Sequence, residues 1–191
     1  MNPCAHPRAA AALLTLAGAG LLAGCAAPAA DEAAAAGPYC FHNPLLHGRH
    51  TPCIDGPLPD AAQDEAAHQF PADPQRLTVY VVRQNWSDGP ARLTVRVDGQ
   101  PAADTLPSTL LRLRLAPGAH VLDFAADGEP PRAIAVDGPP GQVRYLHLAT
   151  LAGLWHTGHD WEVEPEAVAQ ARARKARLVA DLQLGAPSTS K

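Results

Sequence analysis

The chain is 191 residues long, carries a formal charge of −4, and is 47% apolar by count. Much of that apolar share is alanine, while Phe, Trp and Tyr occur three times each and Met once; 20 prolines and 15 glycines interrupt long helical patterns. This composition excludes a polytopic membrane protein, a coiled coil and a multi-domain enzyme of ordinary size, and leaves room for one domain of roughly 100 residues with tails. The charge argues against a nucleic-acid partner. The one dense basic run, Arg172-Ala-Arg174-Lys175-Ala-Arg177, follows the acidic stretch Glu162 to Glu166, so the two offset each other, and no basic face with stacking aromatics is apparent.

At the N-terminus Arg8 precedes an uncharged apolar run from Ala9 to Ala23, closed by Leu22-Ala23-Gly24-Cys25. That is the layout of a secretory signal with small residues ahead of the cut. The tetrapeptide resembles the lipobox of bacterial lipoproteins. The resemblance implies a signal peptide over 1–24, a diacylglyceryl thioether on Cys25, and acylation of the new amine. It also implies a partner, the membrane, reached through covalent lipid rather than through a cofactor. Each buried CH₂ contributes roughly 0.8 kcal/mol, so two or three chains anchor a protein where one would not. Ala26, in place of Asp, resembles the outer-membrane sorting pattern of Gram-negative cells, with the folded part facing the periplasm. The alternative is an uncleaved anchor: Ala9 to Ala30 is 22 residues without charge, long enough to span, but Ala/Gly-rich and broken by Pro28. Loss of 1–24 removes only Arg8 among charged side chains and leaves a mature charge of −5.

Residues 25–37 read as an Ala-rich tether, and 38–75 as a Cys-bracketed loop region with a short helical turn near Ala61 to His68. Cys4 leaves with the signal and Cys25 is consumed by lipid, so Cys40 and Cys53 remain as an even pair in an exported chain. A disulfide is the expectation, and closing a loop of about 13 residues stabilises by roughly 3 kcal/mol on the chain-entropy estimate. His42, His47 and His50 fall inside the same loop and offer a rival reading as a zinc or copper site. His156 and His159, in Trp155-His-Thr-Gly-His-Asp-Trp161, are the second place where histidines could gather; Gly158 makes that segment equally readable as a turn with tryptophans at the core edge.

From Leu77 the pattern becomes β. Leu77 to Arg83 is β-branched and aromatic, and Arg92 to Asp98 alternates strictly, with Leu93, Val95 and Val97 on one face. Asp98-Gly99 signals a hairpin turn, and Pro101 rules out central pairing there. Leu110 to Leu115, His120 to Ala125, Arg132 to Val136 and Gln142 to Leu148 follow, most separated by Gly/Pro turns, and Trp161 to Val163 could add a seventh strand. The expected fold is mainly β: an antiparallel β-sandwich of six or seven strands over 76–163. A single C-terminal α-helix is expected over 164–185, with Pro165 at its first turn and Gly185 as its stop. Residues 186–191 form a tail.

Val79-Tyr80-Val81-Val82-Arg83, Val95-Arg-Val-Asp98-Gly99, Pro117-Gly118-Ala-His120 and Gly141-Gln-Val-Arg-Tyr145 resemble a widespread uncharacterised domain of bacterial lipoproteins, a transthyretin-like or PEGA-like β-sandwich. The resemblance covers about residues 75–165. It implies a fold and an address and carries over no catalytic residues. No Gly-x-Ser-x-Gly, His-Glu-x-x-His, phosphate-cradling loop or Cys-x-x-Cys occurs. Glu162, Glu164 and Glu166 are accounted for by a helix start. Three functional readings follow in order of preference: a non-enzymatic envelope module with a protein partner, a histidine-based metal binder, and an enzyme of unknown class.

Overall fold

Two short strands, β1 (Tyr39–Cys40) and β2 (Cys53–Ile54), come first in the computed structural model, which describes residues 37–42, 52–84, 91–125, 131–152 and 157–185. Cys40 faces Cys53 across this antiparallel pair, and the two are joined as a disulfide. The helix α1 (Ala61–Ala67) follows, opened by a reciprocal cap. The Asp60 carboxylate accepts from the Gln63 amide at 2.8 Å, and the Gln63 side chain accepts from the Asp60 amide at 2.9 Å.

The sandwich then alternates between two sheets. β3 (Leu77–Arg83), β6 (Thr109–Leu115), β9 (Val143–Ala152), β10 (Thr157–Val163) and β11 (Arg177–Gln183) make a five-stranded sheet in the order β10-β9-β3-β6-β11. β4 (Leu93–Val97), β5 (Gln100–Thr105), β7 (Gly118–Ala125) and β8 (Arg132–Gly138) make a four-stranded sheet in the order β5-β4-β7-β8. Most pairs are antiparallel; β3 with β9 and β6 with β11 run parallel. Leu77, Val79, Val81, Leu113 and Leu148 from the larger sheet meet Leu93, Val95, Leu122 and Phe124 from the smaller one to form the main core.

A third layer explains why β3 does not alternate. Its outer face, with Tyr80 and Val82, is covered by α1 and by α2 (Glu166–Ala173), so all seven residues of β3 are buried. Strands covered on both faces read as continuous apolar runs, whereas β4, wet on its outer face, keeps strict alternation. Some of the alanine excess finds its use here. Ala67, Ala169, Ala173 and Ala176 are buried against Tyr80 and Tyr145, and their small side chains let backbone approach the aromatic layer closely.

The sandwich expectation holds, as does the Asp98-Gly99 turn, where both residues take positive φ (51° and 77°). The additional strand β5 carries Pro101 on an edge, beside a register irregularity between Val95 and Arg96. The long C-terminal helix is corrected. Pro165 is the cap, α2 ends at Ala173, and 177–183 is strand β11. The reason is partnership: in a helix this segment would have buried only a thin apolar stripe. As a strand it pairs with β6 and places Val179 and Leu182 against the main core and Leu178 against the helix layer. Its edge is partly covered, because the Leu178 amide donates to Asp64 at 2.7 Å and Arg177 pairs with the same carboxylate at 2.9 Å.

Candidate functional site

Cys25, His47, His50 and His156 lie outside the described residues. His42 is exposed beside the disulfide, its Nδ1 3.2 Å from the Cys40 carbonyl oxygen. His159 is on β10, buried between the sheets with its ring edge-on to Phe124 at 6.3 Å. Its Nε2 is 3.2 Å from Nη2 of the fully buried Arg83, which also donates to the Ala91 carbonyl at 2.6 Å. A guanidinium can only donate, so that imidazole lone pair is engaged, and a cation placed there would meet a positive charge. His42, just after β1, and His159, on β10, thus lie in different surroundings.

Three polar clusters on the sandwich were not legible as clusters in the sequence. The first is Asp98 with His120, at the mouth of an apolar cavity of about 270 Å³ lined by Val97, Pro101, Ala102, Leu115 and Leu184. Asp98 is fixed by its positive-φ turn, and its Oδ1 accepts from the Val121 amide at 2.9 Å. His120 has an acceptor on each ring nitrogen: Asp98 Oδ2 at 2.7 Å from Nδ1 and the Ala116 carbonyl at 2.8 Å from Nε2. Burial works against the charged ring, but these two bonds and the Asp98 charge outweigh it and raise the His120 pKa above 6.5. Slight burial likewise opposes the Asp98 carboxylate, and the Val121 amide with His120 prevails, lowering its pKa below 3.8.

The signs give a pH window. The histidine's contribution is complete below its unfolded pKa and is lost as pH rises through its higher folded value. The aspartate's is present above its unfolded pKa and is lost as pH falls through its lower folded value. His120→Gln should therefore flatten the decline in stability above about pH 6.5, by no more than about 1 kcal/mol because the pair is half open to solvent and screened. Urea midpoints of both proteins from pH 5 to 9 check this; parallel curves would refute it.

The second cluster is on the outer face of the large sheet. Asp181 Oδ1 accepts from Arg112 Nε at 2.9 Å and from Arg114 Nη2 at 2.8 Å, and its Oδ2 accepts from Arg112 Nη2. The Arg112 pKa is raised, chiefly by this hydrogen bonding. Beside it the Tyr80 hydroxyl is buried next to the Arg112 guanidinium; its pKa is pushed up to about 12 by burial, with the charge and hydrogen bonding of Arg112 opposing. Tyr80 stacks on Tyr145 at 5.6 Å, and Phe70 meets both rings edge-on.

The third cluster joins β9, β10 and α2. His147 and Glu162 are register partners, with His147 Nδ1 3.1 Å from Glu162 Oε2 and 3.5 Å from Glu164 Oε1. Arg172 of α2 holds Glu164 in a fork, Nη2 to Oε1 at 2.8 Å and Nε to Oε2 at 3.2 Å. The two glutamates do not mark a helix start: Glu162 is the penultimate residue of β10 and Glu164 lies in the connector. Their i, i+2 spacing was the sequence signal that they share a face; nothing local announced His147. No protein-family model, curated protein or solved structure matches the chain.

Proposed function

We propose that the chain is a lipid-anchored protein of the bacterial cell envelope, facing the periplasm from the outer membrane where the cell has one, and that its sandwich is a binding or structural module with an envelope protein as partner. One observation carries this reading: Leu22-Ala23-Gly24-Cys25 stands directly behind the uncharged run Ala9 to Ala23, where a lipoprotein signal places its modified cysteine. The Cys40–Cys53 disulfide supports it, since such bonds persist outside the reducing cytosol. Among the described residues no helix is long and apolar enough to cross a membrane. Residues 26–37 then serve as a spacer between lipid and the folded part that begins near Tyr39. The preference for a binding role over catalysis rests on the missing catalytic motifs in the sequence.

Cys25→Ala should abolish labelling by a fatty-acid analogue, leave the precursor uncut, and shift the protein's mobility on a denaturing gel by the mass of the signal peptide. Unchanged labelling and processing of Cys25→Ala would overturn the assignment. Detergent-solubilised wild-type protein, cross-linked in intact cells, is then the material in which an envelope partner is sought.

A further inference from the structure

We propose that His147, Glu162 and Glu164 hold one divalent transition-metal ion of the zinc class. The three residues each offer one ligand atom, and these atoms lie within 4.8 Å of one another. The spacing suits a tetrahedral ion: with metal–ligand bonds of about 2.1 Å, two donors of such a site are about 3.4 Å apart. His147 Nδ1 is 3.1 Å from Glu162 Oε2 and 3.5 Å from Glu164 Oε1, so the donors bracket that separation before any ion is added.

Burial is uneven in a useful way. The side chains of His147 and Glu164 are 7% and 8% exposed, and that of Glu162 is 51% exposed. Two ligands therefore form a dry floor held by strand β9 and by the β10–α2 connector, and the third leaves an open side where water can complete the shell. Charge points the same way. Two carboxylates face one guanidinium, Arg172, so the acidic side of the cluster carries a net −1 that a bound cation would offset. Arg172 reaches both oxygens of Glu164, so it can keep Oε2 while Oε1 turns to the ion, as the hydrogen-bonded partners of ligating carboxylates commonly do. Of the ring nitrogens Nδ1 faces both carboxylates, while Nε2 is buried with no hydrogen-bond partner. Nδ1 is therefore the coordinating atom. One borderline nitrogen and two carboxylate oxygens favour zinc over the oxygen-seeking calcium and magnesium. These residues are distinct from the His42, His47 and His50 loop.

The test uses the full-length chain without a polyhistidine tag, purified in detergent, stripped with EDTA and titrated calorimetrically with zinc chloride. One zinc per chain is expected. It should persist in the His42→Ala/His47→Ala/His50→Ala triple variant and weaken by at least about 10-fold in Glu162→Gln and in His147→Gln. Zinc should raise the melting temperature of the wild type and raise that of Glu162→Gln less at the same zinc concentration. His147 is buried and its replacement can disturb folding, so Glu162→Gln, half exposed, is decisive. Absence of stoichiometric zinc, zinc retained at full affinity by a folded Glu162→Gln, or zinc lost in the triple variant would each overturn the proposal.

Discussion

Replacing Asp181 with alanine should destabilise the protein by about 3–5 kcal/mol, the usual cost of leaving a buried charge without its partner. Asp181 is the shared acceptor for Arg112 and Arg114, with side chains 9%, 10% and 24% exposed respectively. Removing the carboxylate would leave the Arg112 guanidinium, beside the Tyr80 ring, without its ion-pair partner. The loss is read as a shift in urea midpoint at unchanged slope. A shift worth less than about 1 kcal/mol would mean that the cluster behaves as an exposed surface pair instead.

Phe124→Ala should cost a similar amount, about 3–5 kcal/mol, by a different route. Phe124 is 1% exposed on the inner face of the smaller sheet. It is edge-on to Trp161 at 5.3 Å and to His159 at 6.3 Å, both on β10 of the opposite sheet. Each such aromatic contact adds about 0.5–1.5 kcal/mol beyond the area buried. Trp161 in turn donates its indole N–H to the Arg132 carbonyl on β8 at 3.0 Å, so the Phe124–Trp161 contact belongs to the seam that closes one side of the sandwich. Val121, three residues earlier on β7, is 47% exposed. Val121→Ala should stay within about 0.5 kcal/mol of wild type. Equal losses at the two positions would contradict the inward and outward assignment of β7.

Much of the architecture could be read from residue order because alternation and turn chemistry are local. Leu93, Val95 and Val97 needed only one wet face and one dry face to declare β4, and Asp98-Gly99 needed only the positive φ of its hairpin. The Cys40–Cys53 bond matches the pairing expected of the two cysteines left over in a chain read as exported. The sites were less legible because sheets bring together residues far apart in sequence. His147 and Glu162 are neighbours only through the β9–β10 register, and Asp98 meets His120 only because β4 pairs with β7.

The segment from Arg177 to Gln183 separates the two kinds of information most clearly. Its composition permits a helix or a strand, and its sequence says nothing of the vacant edge beside β6 that makes it a strand. Even as a strand, simple alternation would have pointed Asp181 inward with Val179. The register shift between Leu178 and Ala180 reverses that parity, so Leu178 and Asp181 both face the helix layer while Leu182 stays on the core side. Sequence determined most of the strands from Leu77 to Leu148 and their turns, since each depends on neighbours along the chain. Tertiary structure alone decided which face each charge occupies and which charges meet, because the energy of a buried ion depends on partners that only folding supplies.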